Sequence, residues 1–201
     1  MTSPIACFHP SNLLTYTSLL AGVAAIAMAC HRGVAGAGAL VALSVVADTF
    51  DGAFARLFER DARQRAFGAQ LDSLSDAVAF GIVPAACLAA AAPPASPVGL
   101  AIAFWLAAGL YSACAITRLG FYNLSHETVT GFVGMPAPVA ALIWSSGLLL
   151  QPGWGFSIAV FVATGIAMVA PLRIPRPSGL GLAAFALWPM AVSVMHIWGM
   201  R

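Results

Sequence analysis

The sequence has little charge for its length and contains no lysine. Only 8% of its 201 residues are charged, whereas 61% are hydrophobic, and the mean hydropathy is +0.91. A water-soluble domain carries about three times that share of charged residues, so the composition excludes a soluble globular protein and predicts a surface that faces lipid. The net charge of +2 is too small to indicate a nucleic-acid partner.

Cysteine is also scarce. The four cysteines, Cys7, Cys30, Cys87 and Cys114, show neither CxxC nor Cys/His ligand spacing. We interpret them as small buried apolar side chains without a disulfide or zinc role. A basic segment before the first apolar stretch is missing too, so we expect that stretch to remain as a membrane span and not to be removed as a signal peptide.

Seven apolar segments dominate what is present. A hydrocarbon core about 30 Å thick requires about 20 residues of helix, and loops rich in proline, glycine or arginine separate the segments. The predicted spans are 12–30, 34–57, 67–92, 98–122, 131–150, 154–172 and 179–199. The sequence therefore predicts an all-α, polytopic membrane helical bundle, which we expect to form a single domain over residues 1–201.

The arginines predict the orientation of this bundle, because basic loops tend to remain cytoplasmic. A cytoplasmic N-terminus puts seven arginines on inner loops and leaves only Arg32 and Arg201 outside; the seven are Arg56, Arg60, Arg63, Arg65, Arg118, Arg173 and Arg176. This orientation brings the loop after the second span, the end of the fourth span and the link before the seventh span to the cytoplasmic face.

Four aspartates lie near that face. Asp48 and Asp51 close the second span, and Asp72 and Asp76 open the third. Helix positions i, i+3, i+4, i+7 and i+8 share one side, so each pair forms a stripe on its own helix. We expect the two stripes to face one another just inside the membrane boundary.

Such a group of carboxylates requires a cationic partner. Desolvating each ionised carboxylate costs several kcal/mol without compensation, and Arg56 alone cannot balance four negative charges. One or two divalent cations can, and an oxygen-only ligand set favours Mg²⁺ or Mn²⁺ over zinc. Small residues at Gly52, Ala55 and Gly68 would let a bulky head group approach the metal, although small residues also serve close helix packing.

These two segments resemble the signature of the CDP-alcohol phosphotransferases, D-x2-D-G-x2-A-R followed after about eight residues by G-x3-D-x3-D. The matching residues are Asp48, Asp51, Gly52, Ala55, Arg56, Gly68, Asp72 and Asp76. The spacing within each half agrees. Eleven residues separate Arg56 from Gly68, so the turn between the halves is about three residues longer than in that family.

The resemblance implies a six-helix membrane enzyme, commonly a homodimer, that transfers a phosphatidyl or similar group from a CDP-linked lipid to an alcohol and releases CMP. The segment 179–199 would add a seventh span to this core. The implied roles are metal binding, with two ions of Mg²⁺ or Mn²⁺, by Asp48, Asp51, Asp72 and Asp76; general-base catalysis by Asp76; and donor binding by Asn12, Gly52, Ala55, Arg56 and Gly68. Helix capping by Ser11 or Asn12 explains Asn12 equally well.

Downstream segments are similar to those of the membrane-embedded phosphatidylserine synthases, a branch of the same family. Residues 118–123 (RLGFYN) resemble R-L-A-R-F-N, and residues 131–138 (GFVGMPAP) resemble a stretch containing F-x-G-L-P-x-P. This likeness implies CDP-diacylglycerol and L-serine as substrates, with Arg118 binding the acceptor carboxylate through its planar guanidinium. Arg118 could instead be a positive anchor at the membrane interface.

Other functions remain open from the sequence. The same chemistry could use glycerol phosphate, inositol phosphate or choline as the acceptor, and phosphorylated acceptors would need a denser cationic site. A more distant alternative is a divalent-cation transporter, in which membrane aspartates bind an ion in transit. The favoured hypothesis is a multi-pass enzyme of the cell membrane with its active site at the cytoplasmic face.

Overall fold

A computed structural model describes residues 3–91, 97–125, 131–150, 153–175 and 179–199. Two short 3₁₀ turns, Pro4–Cys7 and Pro10–Asn12, precede the first helix. The helices are α1 (Leu13–Arg32), α2 (Val34–Ala55), α3 (Ala62–Ala79), α4 (Val83–Ala90), α5 (Val98–Ser125), α6 (Ala137–Leu148), α7 (Trp154–Val169) and α8 (Leu180–Gly199). Each of the seven predicted spans contains helix, which confirms the all-α bundle as the fold class.

Five apolar segments are long enough to cross a membrane, and they make the chain an integral membrane protein. They are Pro10–His31, Val34–Ala55, Ala62–Ala90, Val98–Ser125 and Leu180–Gly199. The other two helices, α6 and α7, contain 12 and 16 residues. At about 1.5 Å per residue, neither matches a hydrocarbon core about 30 Å thick. The helices in the predicted spans 131–150 and 154–172 are therefore shorter than those spans.

The fifth predicted span began too early because residues 131–136 are not helical. Phe132–Val133 forms a short strand, β1, that pairs antiparallel with β2, Arg173–Ile174. Gly134 has φ +75°, and a Cβ there would lie 1.9 Å from the Met168 carbonyl oxygen. Only glycine adopts this backbone and fits this space readily, so the segment folds back against the end of α7 before α6 begins.

The third predicted span began too late. Asp61 and Gln64 form a capping box. The backbone N–H of Gln64 donates to Asp61 Oδ1 at 2.7 Å, and the backbone N–H of Asp61 donates to Gln64 Oε1 at 2.9 Å. These reciprocal bonds satisfy two free amides at a helix start. Helix α3 therefore starts at Ala62 and includes Arg63 and Arg65, which the prediction had placed in a loop.

Close packing of small residues joins α1 to α2, and the contact includes reciprocal serine hydrogen bonds. Ser18 Oγ donates to the Ser44 carbonyl at 3.1 Å, and Ser44 Oγ donates to the Ser18 carbonyl at 2.8 Å. Small residues allow two membrane helices to approach, and paired hydroxyls join them away from water. Helix α2 also contacts α6 and α8, so the helix that carries Asp48 and Asp51 is held on several sides.

Candidate active site

The structure brings the four predicted aspartates to one place. Carboxylate oxygens of Asp48, Asp72 and Asp76 lie within 4.8 Å of one another, and all three side chains are half-buried. Asp51 lies outside this group of three but within hydrogen-bonding reach of Asp72, as Asp76 does of Asp48. The cluster therefore consists of two adjoining carboxylate pairs, each with one member from α2 and one from α3.

Helix α1 positions both acidic stripes. Thr15 Oγ1 donates to Asp51 Oδ2 at 2.9 Å, and Ser75 Oγ donates to the Thr15 carbonyl at 3.2 Å. Helix α3 packs mainly on α1, and its carboxylates meet those of α2 beside that helix. The two stripes face one another, as predicted, and α1 contacts both helices.

A break between α3 and α4 lies one turn after Asp76. Pro84 has no amide hydrogen, so it cannot donate to the Phe80 carbonyl as a residue four positions later normally would. The Tyr111 hydroxyl of α5 donates to that carbonyl at 2.6 Å. The amides of Phe80 and Gly81 both donate to the Asp76 carbonyl, at 2.9 and 3.2 Å. Helix α5 thus stabilises the turn that follows the proposed base.

The larger of two cavities at the carboxylates, here called the main cavity, has a volume of about 620 Å³. Its wall combines the four aspartates with Arg118 and a largely apolar surface. The remaining lining residues are Thr49, Ala69, Ser73, Leu119, Tyr122, Asn123, Phe132, Met135, Pro136, Pro138, Val139, Ile174, Pro175, Leu182 and Phe185. The end of α5 and the link before α8 thus lie beside the motif, as predicted.

The second cavity, here called the small cavity, has a volume of about 280 Å³. All five residues predicted to bind the donor line it, and Asp51, Ala69 and Asp72 are shared with the main cavity. Its lining residues are Ser11, Asn12, Thr15, Asp51, Gly52, Ala55, Arg56, Arg60, Arg65, Gly68, Ala69 and Asp72. Carboxylates therefore separate a small basic cavity from a larger apolar one, so a ligand that fills both must pass the aspartates.

Asn12 belongs to the small cavity and does not cap α1. It is 4% exposed and accepts a hydrogen bond of 3.3 Å from Ser11 Oγ. Within the described residues, its side chain makes no capping bond to the helix that follows. A Cβ at Gly68 would lie 3.2 Å from Asn12 Oδ1. Glycine at this position therefore leaves room beside the asparagine.

Arg118 is buried within the helical bundle. It is 6% exposed, and its guanidinium carbon lies 5.2 Å from the Tyr122 ring centroid and 5.7 Å from that of Phe132. Within the part of the chain that the structure describes, its Nε has no hydrogen-bond partner. Two aromatic rings thus position a buried cation with an unused donor on the wall of the main cavity.

Several cavity residues were not among the predicted site residues. Arg60 and Arg65 had been interpreted as markers of membrane orientation and as a source of positive charge for a phosphorylated acceptor, and not as donor-binding residues. Ser73 and Asn123, paired at 2.9 Å on the wall of the main cavity, flank residues that the prediction named. Nothing in their spacing indicated that α3 and α5 meet there.

The cysteines do not all fit the prediction that they are buried. Cys87 and Cys114 are buried, as expected, but Cys30 is exposed and Cys7 is half-buried. Cys30 lies near the end of α1, on the surface of the bundle. The prediction for Cys30 was therefore wrong.

Comparisons with known proteins agree with this geometry. The sequence model described as CDP-alcohol phosphatidyltransferase matches residues 8–173. A CDP-diacylglycerol–serine O-phosphatidyltransferase of Mycobacterium tuberculosis H37Rv is 31% identical over 198 residues, covering 88% of this chain and 66% of the relative. The Mycobacterium bovis protein of the same name is 35% identical over 177 residues, covering 82% and 59%.

An archaetidylserine synthase of Methanothermobacter thermautotrophicus is 30% identical over 171 residues, covering 85% of this chain and 71% of the relative. The chain spans 59 to 66% of the length of the two mycobacterial relatives. The matched region contains both halves of the motif, with the four aspartates, and also Arg118. This chain belongs to the CDP-alcohol phosphatidyltransferase family.

Proposed function

We propose that this protein transfers a phosphatidyl group from CDP-diacylglycerol to the hydroxyl of L-serine, giving phosphatidylserine and CMP. The observation that carries the proposal is the arrangement of two cavities around one carboxylate cluster, with a buried arginine on the larger side whose Nε has no hydrogen-bond partner among the described residues. Relatives named as serine transferases support the choice of serine. Residues 1–201 act as a single catalytic domain in this proposal.

The small cavity is the proposed site of the CDP portion of the donor. Gly52, Ala55 and Gly68 leave space next to the backbone, and Asn12 offers an amide for hydrogen bonding. Arg56 provides positive charge, and Arg60 of the longer turn and Arg65 at the start of α3 add to it. Arginine binds phosphate oxygens through parallel N–H bonds, so the turn would assist in holding the pyrophosphate.

The four aspartates fit divalent metal. Three carboxylate oxygens within 4.8 Å of one another form an all-oxygen set, which suits Mg²⁺ or Mn²⁺. Asp48, Asp51, Asp72 and Asp76 would hold two ions. When bound, such ions neutralise charge that develops on the pyrophosphate and on the leaving CMP. Half-buried carboxylates this close together are otherwise costly.

In the proposed reaction, the serine hydroxyl oxygen bonds to the phosphorus that carries diacylglycerol, and the bond from that phosphorus to the CMP oxygen breaks. Asp76 accepts the hydroxyl proton as general base. Its position on the main-cavity side, one turn before the stabilised helix break, lets it reach an acceptor in that cavity. Positioning supplies much of the rate enhancement, since a carboxylate beside metal is a weak base.

Arg118 is the proposed binding group for the serine carboxylate. A buried guanidinium with an unused Nε donor matches a planar carboxylate acceptor. Among the described residues, Arg118 is the one arginine on this wall. This favours an acceptor with one negative group, because a phosphorylated alcohol would require more positive charge. Choline lacks an anionic group for Arg118 to bind, and its own positive charge would be repelled.

The proposed enzyme is a multi-pass protein of the cell membrane with its N-terminus and active site on the cytoplasmic side. The arginine distribution supports this orientation, and proximity labelling from each side of the membrane would test it. The homodimer implied by the family resemblance stays a prediction, which cross-linking in native membranes would examine.

The purified protein tests the reaction directly. CDP-diacylglycerol, Mg²⁺ or Mn²⁺, and one acceptor at a time (serine, glycerol phosphate, inositol phosphate or choline) are supplied, and CMP is measured. Serine-dependent CMP release that stops on chelation with EDTA and returns with added metal supports the proposal. CMP release with another acceptor but not with serine would contradict the choice of acceptor. Transport of a divalent ion without CMP release would favour a transporter instead.

A further inference from the structure

The last described helix, α8, reaches the main cavity although it lies outside the matched family region. The family match ends at residue 173, and α8 begins at Leu180. Leu182 and Phe185 nevertheless line the main cavity together with Asp48 and Asp76. A segment that the family signature does not cover therefore contributes to the wall of the proposed catalytic cavity.

One face of α8 includes both the residues that line the main cavity and the residues that pack the helix against the bundle. Leu182, Phe185, Pro189, Val192 and His196 follow one another at intervals of three and four residues, so they share a face. The first two line the cavity, and the last three are buried in the bundle. The same stripe thus continues from the cavity into the packed core.

Polar bonds and one close approach hold α8 in place. His196 Nε2 donates to the Ser145 carbonyl of α6 at 2.9 Å, and Ser193 Oγ donates to the Ala39 carbonyl of α2 at 3.2 Å. A Cβ on Gly38 would lie 2.5 Å from His196 Nε2, so the absent side chain allows α8 to approach α2. The cavity wall is therefore attached to the helix that carries two of the aspartates.

We propose that Leu182 and Phe185 contact the glycerol backbone and the first part of the acyl chains of the CDP-lipid donor, and so determine which lipids fit. This inference rests on the function proposed above. A donor whose pyrophosphate lies at the carboxylates must extend its lipid portion through an apolar region that begins beside them. Leu182 is 48% exposed, so its side chain is accessible to a lipid that enters the cavity.

Shape, and not hydrophobicity, is the basis of this selection. Lipid tails are about as apolar as leucine, so a chain that moves from the bilayer to the cavity gains little from the hydrophobic effect. Close contact with a fixed wall, in contrast, depends steeply on distance. Changing the wall should therefore alter the preference between donors more than the affinity for the CDP group.

The full-length protein in lipid nanodiscs provides the test. Binding of CDP-dipalmitoylglycerol and of its diether analogue CDP-dihexadecylglycerol, which differ at the first carbon of each chain, is measured by competition in the presence of Mn²⁺, with CDP alone as a third ligand. We expect Phe185→Ala and Leu182→Ala each to change the affinity ratio of the two lipids by about fivefold. Binding of CDP alone should stay unchanged. Leu187→Ala is the matched control, because Leu187 is 63% exposed on the opposite side of the same helix.

Phe185→Leu keeps a large apolar side chain, so it tests the proposal even if the alanine variants misfold. Ratios that equal those of the unmodified protein in all three cavity variants would overturn the proposal, as would an equal change in Leu187→Ala. Altered affinity ratios without CMP release from any acceptor would refute the proposed reaction but support the role of Leu182 and Phe185 in lipid selection. CMP release with unaltered affinity ratios would support the reaction but refute the role of Leu182 and Phe185. Failure of the unmodified protein to bind either lipid would refute both proposals.

Discussion

The Thr15 hydroxyl of α1 donates a 2.9 Å hydrogen bond to the Asp51 carboxylate of α2. Thr15 is 7% exposed, so this bond is shielded from water. It distinguishes Asp51 from Asp48, Asp72 and Asp76, because one Asp51 oxygen accepts a hydrogen bond from Thr15. The bond fixes the orientation of the Asp51 side chain, which lines both cavities.

Replacing Thr15 with valine should weaken metal-dependent activity. The isosteric side chain keeps its volume but cannot orient Asp51, and loss of such an outer partner typically lowers metal affinity about 10- to 100-fold. Titration of CMP release with Mn²⁺ measures the change. Thr15→Ser keeps the hydroxyl and serves as the control; equal Mn²⁺ requirements in Thr15→Val and the unmodified protein would show that the bond has no such role.

Asp76→Asn should reduce CMP release by at least about 100-fold, because a positioned general base contributes about 10²- to 10⁴-fold. Donor binding should be largely retained, since three carboxylates remain. Asp51→Ala should instead weaken donor binding in the presence of metal, which calorimetry with CDP-diacylglycerol would detect. Retained turnover in Asp76→Asn would refute the role of that residue as base.

Arg118→Lys separates acceptor binding from a general need for positive charge. Lysine keeps the charge but not the planar pair of donors, so we expect the KM for serine to rise about 10- to 100-fold. The KM for CDP-diacylglycerol should change little. An anchor at the membrane interface would tolerate lysine, so unchanged kinetics would indicate that Arg118 is such an anchor.

Arg60→Gln and Arg65→Gln should each weaken donor binding. Hydrogen bonds to charged groups contribute about 1.5–3 kcal/mol, which corresponds to a rise of about 10- to 100-fold in the donor KM. Arg63→Gln is a matched control, because Arg63 lies in the same segment and is exposed but does not line the small cavity. Equal effects of all three changes would point to the net charge of the turn and not to cavity contacts.

Gly134→Ala should destabilise the protein. Its positive φ disfavours any side chain, and the added Cβ would collide with the Met168 carbonyl. Together these effects should cost about 2–4 kcal/mol. Thermal unfolding in detergent would show the loss as a lowered Tm, and Gly120→Ala, at a helical site with open space, should leave the Tm nearly unchanged.

Much of the site could be predicted because its spacing is helical. Asp72 and Asp76 are four residues apart, so any helix puts them on one side, and the same rule applies to Asp48 and Gly52. The pairing of β1 with β2 could not be predicted in this way. It depends on Gly134 lying against the Met168 carbonyl, a contact between segments more than 30 residues apart.

The sequence by itself determined that this chain lies in a membrane, that its helices are apolar, and that two acidic stripes stand near their ends. Composition and local periodicity are sufficient for these conclusions, because they depend on hydration and on the geometry of a single helix. Only the tertiary structure decided that α1 joins the two stripes, that Arg118 is buried between two rings, and that α8 contributes Leu182 and Phe185 to the cavity. Those features depend on contacts between distant segments, and their positions in the chain carry no local periodic signal.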